Sequence, residues 1–474
     1  MKLFITILLT ACVLNIQAQH TIRITLAGEV NVGNNYGVTH RHDTDVAKLF
    51  DHVTPHLKAA DVSVATLGTV LIDIDAAPNR ANLIGTHKLI RVSESYATAL
   101  HEAGFTALNL ANSHVADFGI EGIQTTTSSL RAAGIEYAGV KAMQDYKIFE
   151  HNGMKCGFIA FGTSVHTLSM ADSTLIRNMV TSLNDQCDIV IVAFSNNPQP
   201  TTTYRYTSHS RPLPISFAHT CIDAGADIVL GNGQHLPQPL ELYRDRLIVY
   251  GLGNFCTPYG VSYTGELGNA PLVEATLYAD GTFQSGHIAS FRQKNTQGPT
   301  ADPTHEAARL LKSLTSHHFP DTKLSIDDTG NIVSTSESAY AIAMKLLTEA
   351  ERHRGKRYQM GATGPNRFDC SGFTSYVFAK FGIKLNRMSA AQYTQGEAVD
   401  RKDLRPGDLV FFTRSSVRGV GHVGIVYSVD KQRGSFKFIH AAVSTGITIS
   451  DFASSAYYIK RYVGARRILP YDKE

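Results

Sequence analysis

From Thr21 to about Gln293 the chain keeps returning to short runs of β-branched and aliphatic residues: Ile22-Arg-Ile-Thr-Leu-Ala27, Asp61-Val-Ser-Val-Ala65, Ala107-Leu-Asn-Leu-Ala111, Asp188-Ile-Val-Ile-Val-Ala193, Asp227-Ile-Val-Leu-Gly231 and Leu247-Ile-Val-Tyr-Gly251. Helical stretches such as Val92 to Ala103 and Gly119 to Ala133 separate several of them. The pattern predicts an α/β domain with functional loops at the strand ends. Residues Pro303 to His318 read as one connecting helix. The next stretch, 319–338, holds Pro, paired Asp, Gly and a cluster of Ser and Thr, and its composition predicts a linker. Beyond it a compact α+β segment runs over residues 339–474. Two or three domains are also what length points to, because 474 residues exceed one ordinary core.

The net charge of +3 is a cancellation. Before Ser336 there are 22 Lys+Arg against 29 Asp+Glu; from Ser336 onward there are 22 against 12, so the halves carry −7 and +10. The second half is therefore suited to an anionic partner, and no Arg-rich or aromatic-interleaved motif points to nucleic acid. Lys2 followed by the apolar run Leu3 to Leu14, with Ala18 at its end, reads as a signal peptide over residues 1–18. The run is too short to span a bilayer, and no later segment approaches that length, so no transmembrane segment is expected. The predicted location is secreted or periplasmic. Leu9-Thr-Ala-Cys12 also has the form of a lipid-attachment box, which makes a lipid anchor through Cys12 the alternative.

Five Cys remain after the leader, an odd number and a poor disulfide framework for an exported protein. Cys156, Cys187 and Cys221 lie in apolar stretches and read as small buried hydrophobes. Cys370 differs. It falls in Phe368-Asp-Cys-Ser-Gly-Phe373, and Phe373, Val377 and Phe381 follow at helical spacing, which places Cys370 in the first turn of an amphipathic helix. Unpaired amides at a helix start favour thiolate, the form that attacks a carbonyl carbon. Leu404 to Phe412, Gly421 to Tyr427 and Phe436 to His440 read as strands. Adjacent antiparallel strands would bring His422 beside Cys370 as general base, with His440 bonded to the other ring nitrogen.

At these residues the segment Ala341 to Pro470 resembles the NlpC-type cysteine peptidases, a papain-like family that cleaves bacterial cell-wall peptides. The resemblance rests on Tyr358-Gln-Met-Gly361, Asp369-Cys-Ser-Gly372, Arg405-Pro-Gly-Asp408, Gly421-His-Val-Gly424 and Ile439-His-Ala441. It implies Cys370 as nucleophile, His422 as base and His440 as the orienting third residue. It also implies Tyr358 near the oxyanion, with Asp369 and Ser371 helping to hold substrate. Members of the family typically hydrolyse the γ-D-glutamyl bond to a diamino acid in peptidoglycan stems. One departure is that Met360, Gly361 and Ala362 stand where members often have an aromatic residue and two glycines.

The stretch Thr21 to Gln293 resembles the CapA family, poly-γ-glutamate capsule proteins related to calcineurin-like metallophosphoesterases. Its carriers are Leu26-Ala-Gly-Glu-Val30, Leu108 to His114 with Asp117-Phe-Gly119, Gly225 to Gly231, His235 and Val249 to Phe255. That fold holds two metal ions through Asp, Asn and His at strand ends. Here the usual Asp after Gly28 is Glu29, the acidic position of an Asn-Leu-Glu motif is Gly68, a His-Trp-Gly-type motif reads Ala193-Phe-Ser-Asn-Asn197, and two His of a Gly-His-His-Pro-His loop read Asn232 and Gly233. Glu29, Asn112, His114 and His235 are the residual metal candidates, and the expectation is a domain without metallophosphatase chemistry. His40, His42, His52 and His56 have no metal-ligand spacing and are expected to be exposed or in loops.

Taken together, the expectations are a signal peptide (1–18), a CapA-like domain of calcineurin-like sandwich fold (19–318), a linker (319–338) and an α+β papain-like peptidase domain (339–474). The function expected is that of an exported cysteine endopeptidase acting on peptidoglycan stem peptides or muropeptides, with no cofactor. The alternatives are a cell-envelope or capsule assembly factor of the poly-γ-glutamate type and a metallophosphoesterase-like hydrolase.

Overall fold

A computed structural model describes residues 21–35, 46–73, 89–141, 143–196, 213–258, 263–293, 298–413, 419–430 and 433–471. The expected leader, with Cys12, and both His40 and His42 lie outside the described residues. The chain divides into two compact units, Met1–Ser336 and Glu337–Glu474.

In the first unit the β-branched runs become strands. They are β1 (Thr21–Val30), β2 (Val62–Leu67), β3 (Ala107–Asn109), β4 (Glu136–Ala138), β5 (Met154–Gly162), β6 (Ile189–Ser195), β7 (Ile228–Asn232), β8 (Leu240–Tyr243), β9 (Arg246–Val249), β10 (Asn254–Cys256), β11 (Leu272–Tyr278), β12 (Phe283–Ala289), β13 (Leu324–Ile326) and β14 (Asn331–Ser334). The main helices are α1 (Tyr96–Ala103), α2 (Gly119–Ala132), α3 (Ser173–Asn184), α4 (Ile215–Asp223) and α5 (Glu306–His318). One sheet runs β13-β14-β12-β11-β1-β2-β3-β4, with β10 pairing β1; the core of the other runs β5-β6-β7-β9-β8.

Strand periodicity assigns each face. Ile189, Ile191 and Ala193 of β6 share one apolar cluster with Ile22, Ile24 and Leu26 of β1, so the two sheets pack on each other. Val190, Val192 and Phe194 turn the other way, onto Ile176 and Val180 of α3 and Phe217 of α4. Behind the first sheet, Ala65 and Leu67 meet Leu100 of α1 and Leu130 of α2. The result is a four-layer helix–sheet–sheet–helix sandwich, as expected of the α/β half.

The stretch 319–338 is not a linker along most of its length. Leu324, Ile326 and Ile332 are buried, and β13 and β14 form a hairpin in which β14 pairs with β12 (Ser285 with Val333, His287 with Asn331). The Asp-Asp-Thr-Gly sequence that looks like tether composition is the hairpin turn: the Asp327 carboxylate accepts from the amides of Thr329 and Asn331, both at 2.9 Å. Turn and linker use the same residues, and only the alternating apolar positions on either side separate them.

The second unit contains α6 (Ala339–Glu351), α7 (Cys370–Ala379), α8 (Ser389–Gln392) and α9 (Ala456–Ile459), with strands β15 (Glu397–Val399), β16 (Leu409–Thr413), β17 (Val420–Asp430), β18 (Ser435–Ala442), β19 (Gly446–Asp451) and β20 (Tyr462–Arg467). Its antiparallel sheet runs β15-β20-β16-β17-β18-β19. One face, through Leu409, Phe411, Val423, Ile425 and Ile439, packs on Leu346 of α6 and Phe373 and Val377 of α7. The other carries Val410, Phe412, Val426, Phe436 and Phe438. The Arg405-Pro-Gly-Asp408 turn is structural: buried Asp408 accepts from the Arg405 amide at 2.8 Å and from Arg467 Nε and Nη2 at 3.1 and 3.0 Å, tying β16 to the end of β20.

If the hairpin belongs to the sandwich, Ile332→Ala should cost the first unit about 2–5 kcal/mol, as for other fully buried large-to-small changes. Denaturant unfolding of the full chain measures this, and an unchanged first-unit transition would return the segment to linker status.

Candidate active site

Cys370 opens α7, and the local sequence explains why. Asp369 has extended backbone and caps the helix, its Oδ1 accepting from the Gly372 amide at 2.6 Å, while Oδ2 accepts from the Gly361 amide at 2.9 Å. An uncompensated carboxylate beside the thiol would oppose thiolate formation. Arg387 answers it with a two-pronged pair, Nη2 to Oδ2 at 2.6 Å and Nη1 to Oδ1 at 3.1 Å. Those hydrogen bonds hold Asp369 below the usual carboxylate range against the opposing effect of burial. They also raise Arg387, whose guanidinium feels the Cys370 and Tyr358 groups as well. Ser371 Oγ accepts from Arg387 Nη1 at 3.1 Å. Asp369 and Ser371, expected to help hold substrate, are both engaged in shaping the helix start. The Tyr358 hydroxyl points to Met360 Sδ at 3.7 Å.

α7 packs against β17 and β18, the strands that carry His422 and His440. His422 Nε2 lies 2.9 Å from His440 Nδ1, and His440 Nε2 lies 2.9 Å from Ser450 Oγ. His440 has no exposed surface, and burial, reinforced by the nearby His422, pushes its pKa well below the ordinary 6.5. It is therefore a neutral imidazole. Gly424 makes room for it: a Cβ there would lie 2.7 Å from Phe438 Cδ2 and 3.0 Å from His440 Cβ. The four other described thiols are unlike Cys370 in setting. Burial pushes Cys156 up to about 12 and Cys187 up to about 11, and raises Cys221 and Cys256 too.

Sequence reasoning missed Arg387, Gln392 and Ser450. Gln392 is fully buried, accepting from Thr374 Oγ1 at 2.8 Å and donating to the Ser371 carbonyl at 3.1 Å. All three act across long sequence separations, and the one available signal was an amide and a guanidinium placed in the turn-rich segment after α7.

In the first unit, pairing register lines up Asn254, Glu29, Thr66 and Asn109 across β10, β1, β2 and β3, while Ser195 and Asn232 pair across β6 and β7. Thr66 Oγ1 joins the two sheets, accepting from Asn109 Nδ2 at 3.0 Å and Asn232 Nδ2 at 2.9 Å. This is the strand-end position at which the resemblance implies two metals, and the donors do not fit them. The Glu29 carboxylate lies in the space that a Cβ at Gly68 would fill. The Asn112 amide is consumed by the Leu67 and Leu110 carbonyls and the His114 amide. His114 Nδ1 binds Asp117 Oδ2 at 2.8 Å, and although burial lowers its pKa, Asp117 raises it to a net upward shift. His235 Nδ1 binds Asn254 Oδ1 at 2.8 Å. Two divalent ions need more anionic ligands than Glu29 supplies. His56, expected to be exposed or in a loop, sits instead in the helix Thr54–Ala59, half-buried against Glu274 at 2.8 Å.

Known proteins divide along the same line. Residues 23–259 match the family described as bacterial capsule synthesis protein PGA_cap, and residues 355–467 match the NlpC/P60 family. The chain is 29% identical over 283 residues to the capsule biosynthesis protein CapA of Bacillus anthracis, covering 55% of this chain and 65% of that one. It is 55% identical over 80 residues to a probable endopeptidase p60 of Listeria welshimeri, 17% of this chain and 15% of that protein. It is 33% identical over 171 residues to the murein DD-endopeptidase MepS/murein LD-carboxypeptidase of Escherichia coli K12, 36% of this chain and 82% of that one. The chain thus spans under two thirds of the first two relatives. Among the described residues no helix is long and apolar enough to cross a membrane.

Two outcomes follow from the geometry. His440 is held neutral below its unfolded pKa, so the unfolded chain takes up more protons, and second-unit stability is fully present above about pH 6.5 and declines as pH falls. Thermal unfolding between pH 7.5 and 5 should show this slope, and His440→Asn should flatten it. Equilibration with Mn²⁺ or Zn²⁺ followed by desalting should leave well under one ion per chain by elemental analysis; two ions per chain would overturn the donor argument.

Proposed function

Because the chain belongs over its first half to the PGA_cap capsule synthesis family and carries a C-terminal domain of the NlpC/P60 family, we propose that it is an exported cysteine endopeptidase that hydrolyses γ-D-glutamyl–diamino acid bonds in peptidoglycan stem peptides. The observation that carries the reading is the His422–His440 hydrogen bond on the two strands against which the Cys370 helix packs. Cys370 is the nucleophile, His422 the general base and acid, and His440 the residue that orients it. Since Nε2 of His422 is taken by His440, Nδ1 is the nitrogen left for proton transfer.

In this reading the Cys370 thiolate attacks the amide carbonyl, and the oxyanion is met by amides at the start of α7 with Tyr358 nearby. The His422 imidazolium gives its proton to the leaving amine, forming a thioester. Water then attacks that thioester as His422 takes up its proton, releasing the carboxylic acid and regenerating the Cys370 thiolate beside the His422 imidazolium. Arg387 offsets the Asp369 charge next to the nucleophile. The +10 charge of the second half suits stem peptides bearing several carboxylates. Export rests on the leader-like residues 1–18, and the first unit serves as a binding or positioning domain.

A second reading, an envelope or capsule assembly factor in which the peptidase trims, is favoured by the PGA_cap match over half the chain. Mass spectrometry of defined muropeptides incubated with the mature protein decides between them. New fragments from a γ-D-Glu–diamino acid cut, absent with Cys370→Ala, are expected. Loss of surface polymer in a Cys370→Ala strain with unchanged muropeptides would favour the second reading.

A further inference from the structure

The contacts behind His440 extend the site beyond the three residues already named. Ser450 on β19 stands 2.9 Å from His440 Nε2, and the Tyr458 hydroxyl on α9 stands 3.5 Å from the same nitrogen. Phe438 stacks on His440 at 4.7 Å between ring centroids, and Tyr458 meets its edge at 5.4 Å, so the ring is held on its faces and edge and cannot turn to find other partners. Of the titratable groups on elements packed around the two histidines, Cys370 and Tyr376 lie on α7, and Tyr457 and Tyr458 lie on α9. β16 and α8 contain none, Lys437 on β18 is exposed, Tyr427 on β17 is bonded to Glu351, Asp430 closes the far end of β17, and Asp451 on β19 caps the Ala453 amide.

Proton placement along this chain has two solutions, and one of them is unproductive. If His440 carries its proton on Nδ1, it donates to His422 Nε2. His422 is then neutral with its proton on Nδ1, and that nitrogen cannot take a proton from the thiol. If His440 carries its proton on Nε2, its Nδ1 lone pair accepts from His422 Nε2–H, which is compatible with an imidazolium at His422. The second solution requires an acceptor at His440 Nε2. A hydroxyl can accept there only if its own proton is turned elsewhere, and the Tyr458 oxygen, which approaches the same nitrogen at 3.5 Å, is the neighbouring acceptor; burial lifts the Tyr458 pKa to about 12 against the lowering effect of a hydrogen bond from Ser450.

We infer that Ser450, backed by Tyr458, is a positioning residue that holds His440 in its Nε2–H tautomer and so stabilises His422 as the imidazolium partner of the Cys370 thiolate. Ser450 touches neither substrate nor nucleophile. Its effect reaches the chemistry through two hydrogen bonds in series, which is how outlying partners fix imidazole tautomers elsewhere. The inference rests on the catalytic roles proposed for Cys370 and His422.

The test is the pH dependence of Cys370 alkylation by iodoacetamide in the full chain, with Cys370→Ala subtracted as background; it needs no substrate. The wild-type protein should alkylate with a midpoint well below the ordinary free-thiol value of about 8.5. Ser450→Ala should move that midpoint up by about one unit, and lower kcat on muropeptide about tenfold with KM within twofold. Ser450→Thr, which keeps the hydroxyl, should restore both. Tyr458→Phe should shift the midpoint in the same direction and serves if Ser450→Ala fails to fold. An unchanged midpoint in both Ser450→Ala and Tyr458→Phe would overturn the inference while leaving the peptidase reading intact. A wild-type Cys370 that alkylates as an ordinary thiol would overturn both.

Discussion

The second unit is organised around the carboxylate of Asp369. Its two oxygens take the Gly372 amide, the Gly361 amide and both prongs of Arg387. Through these bonds one side chain starts the helix, anchors the loop that follows Tyr358, and recruits a guanidinium from a segment 18 residues on. A carboxylate this buried is costly unless its lone pairs are met. Because they are met, its charge ceases to oppose the neighbouring thiol, and the helix terminus can favour thiolate at Cys370. Arg387 is suited to this task where Lys would not be, because a planar fork matches both carboxylate oxygens.

The five described cysteines, all free, show how environment separates chemistry from packing. Cys156, Cys187, Cys221 and Cys256 are surrounded by apolar atoms, and burial raises each of them. Cys370 is also buried, yet it stands at a helix start beside a compensated ion pair and two strands bearing imidazoles. Residue type and exposure alone would not distinguish it.

The first unit is a sandwich whose strand-end position is filled by hydrogen bonds among its own side chains. Glu29 is one methylene longer than the Asp expected there, and Gly68 has no side chain, so the single carboxylate lies where a second would have stood. Asn109, Asn232 and Thr66 bond to one another across the sheets. Neutral hydrogen bonds thus hold together the strand ends at which the resemblance implies two metal ions.

Strand periods, the helix after Cys370 and the ordered short motifs are local properties, and they were legible in the sequence because each is set by neighbours a few residues apart. The placement of Cys370 at a helix start and of His422 and His440 on strands was legible in the same way. Three things were decided by tertiary structure. The segment 324–334 became a hairpin on the sandwich, since turn and tether share composition and only an open sheet edge at β12 distinguishes them. Asp369 and Ser371 became scaffold, since their partner Arg387 arrives from another loop. Ser450 met His440 from a neighbouring strand, a pairing fixed by β-sheet register and invisible to spacing along the chain.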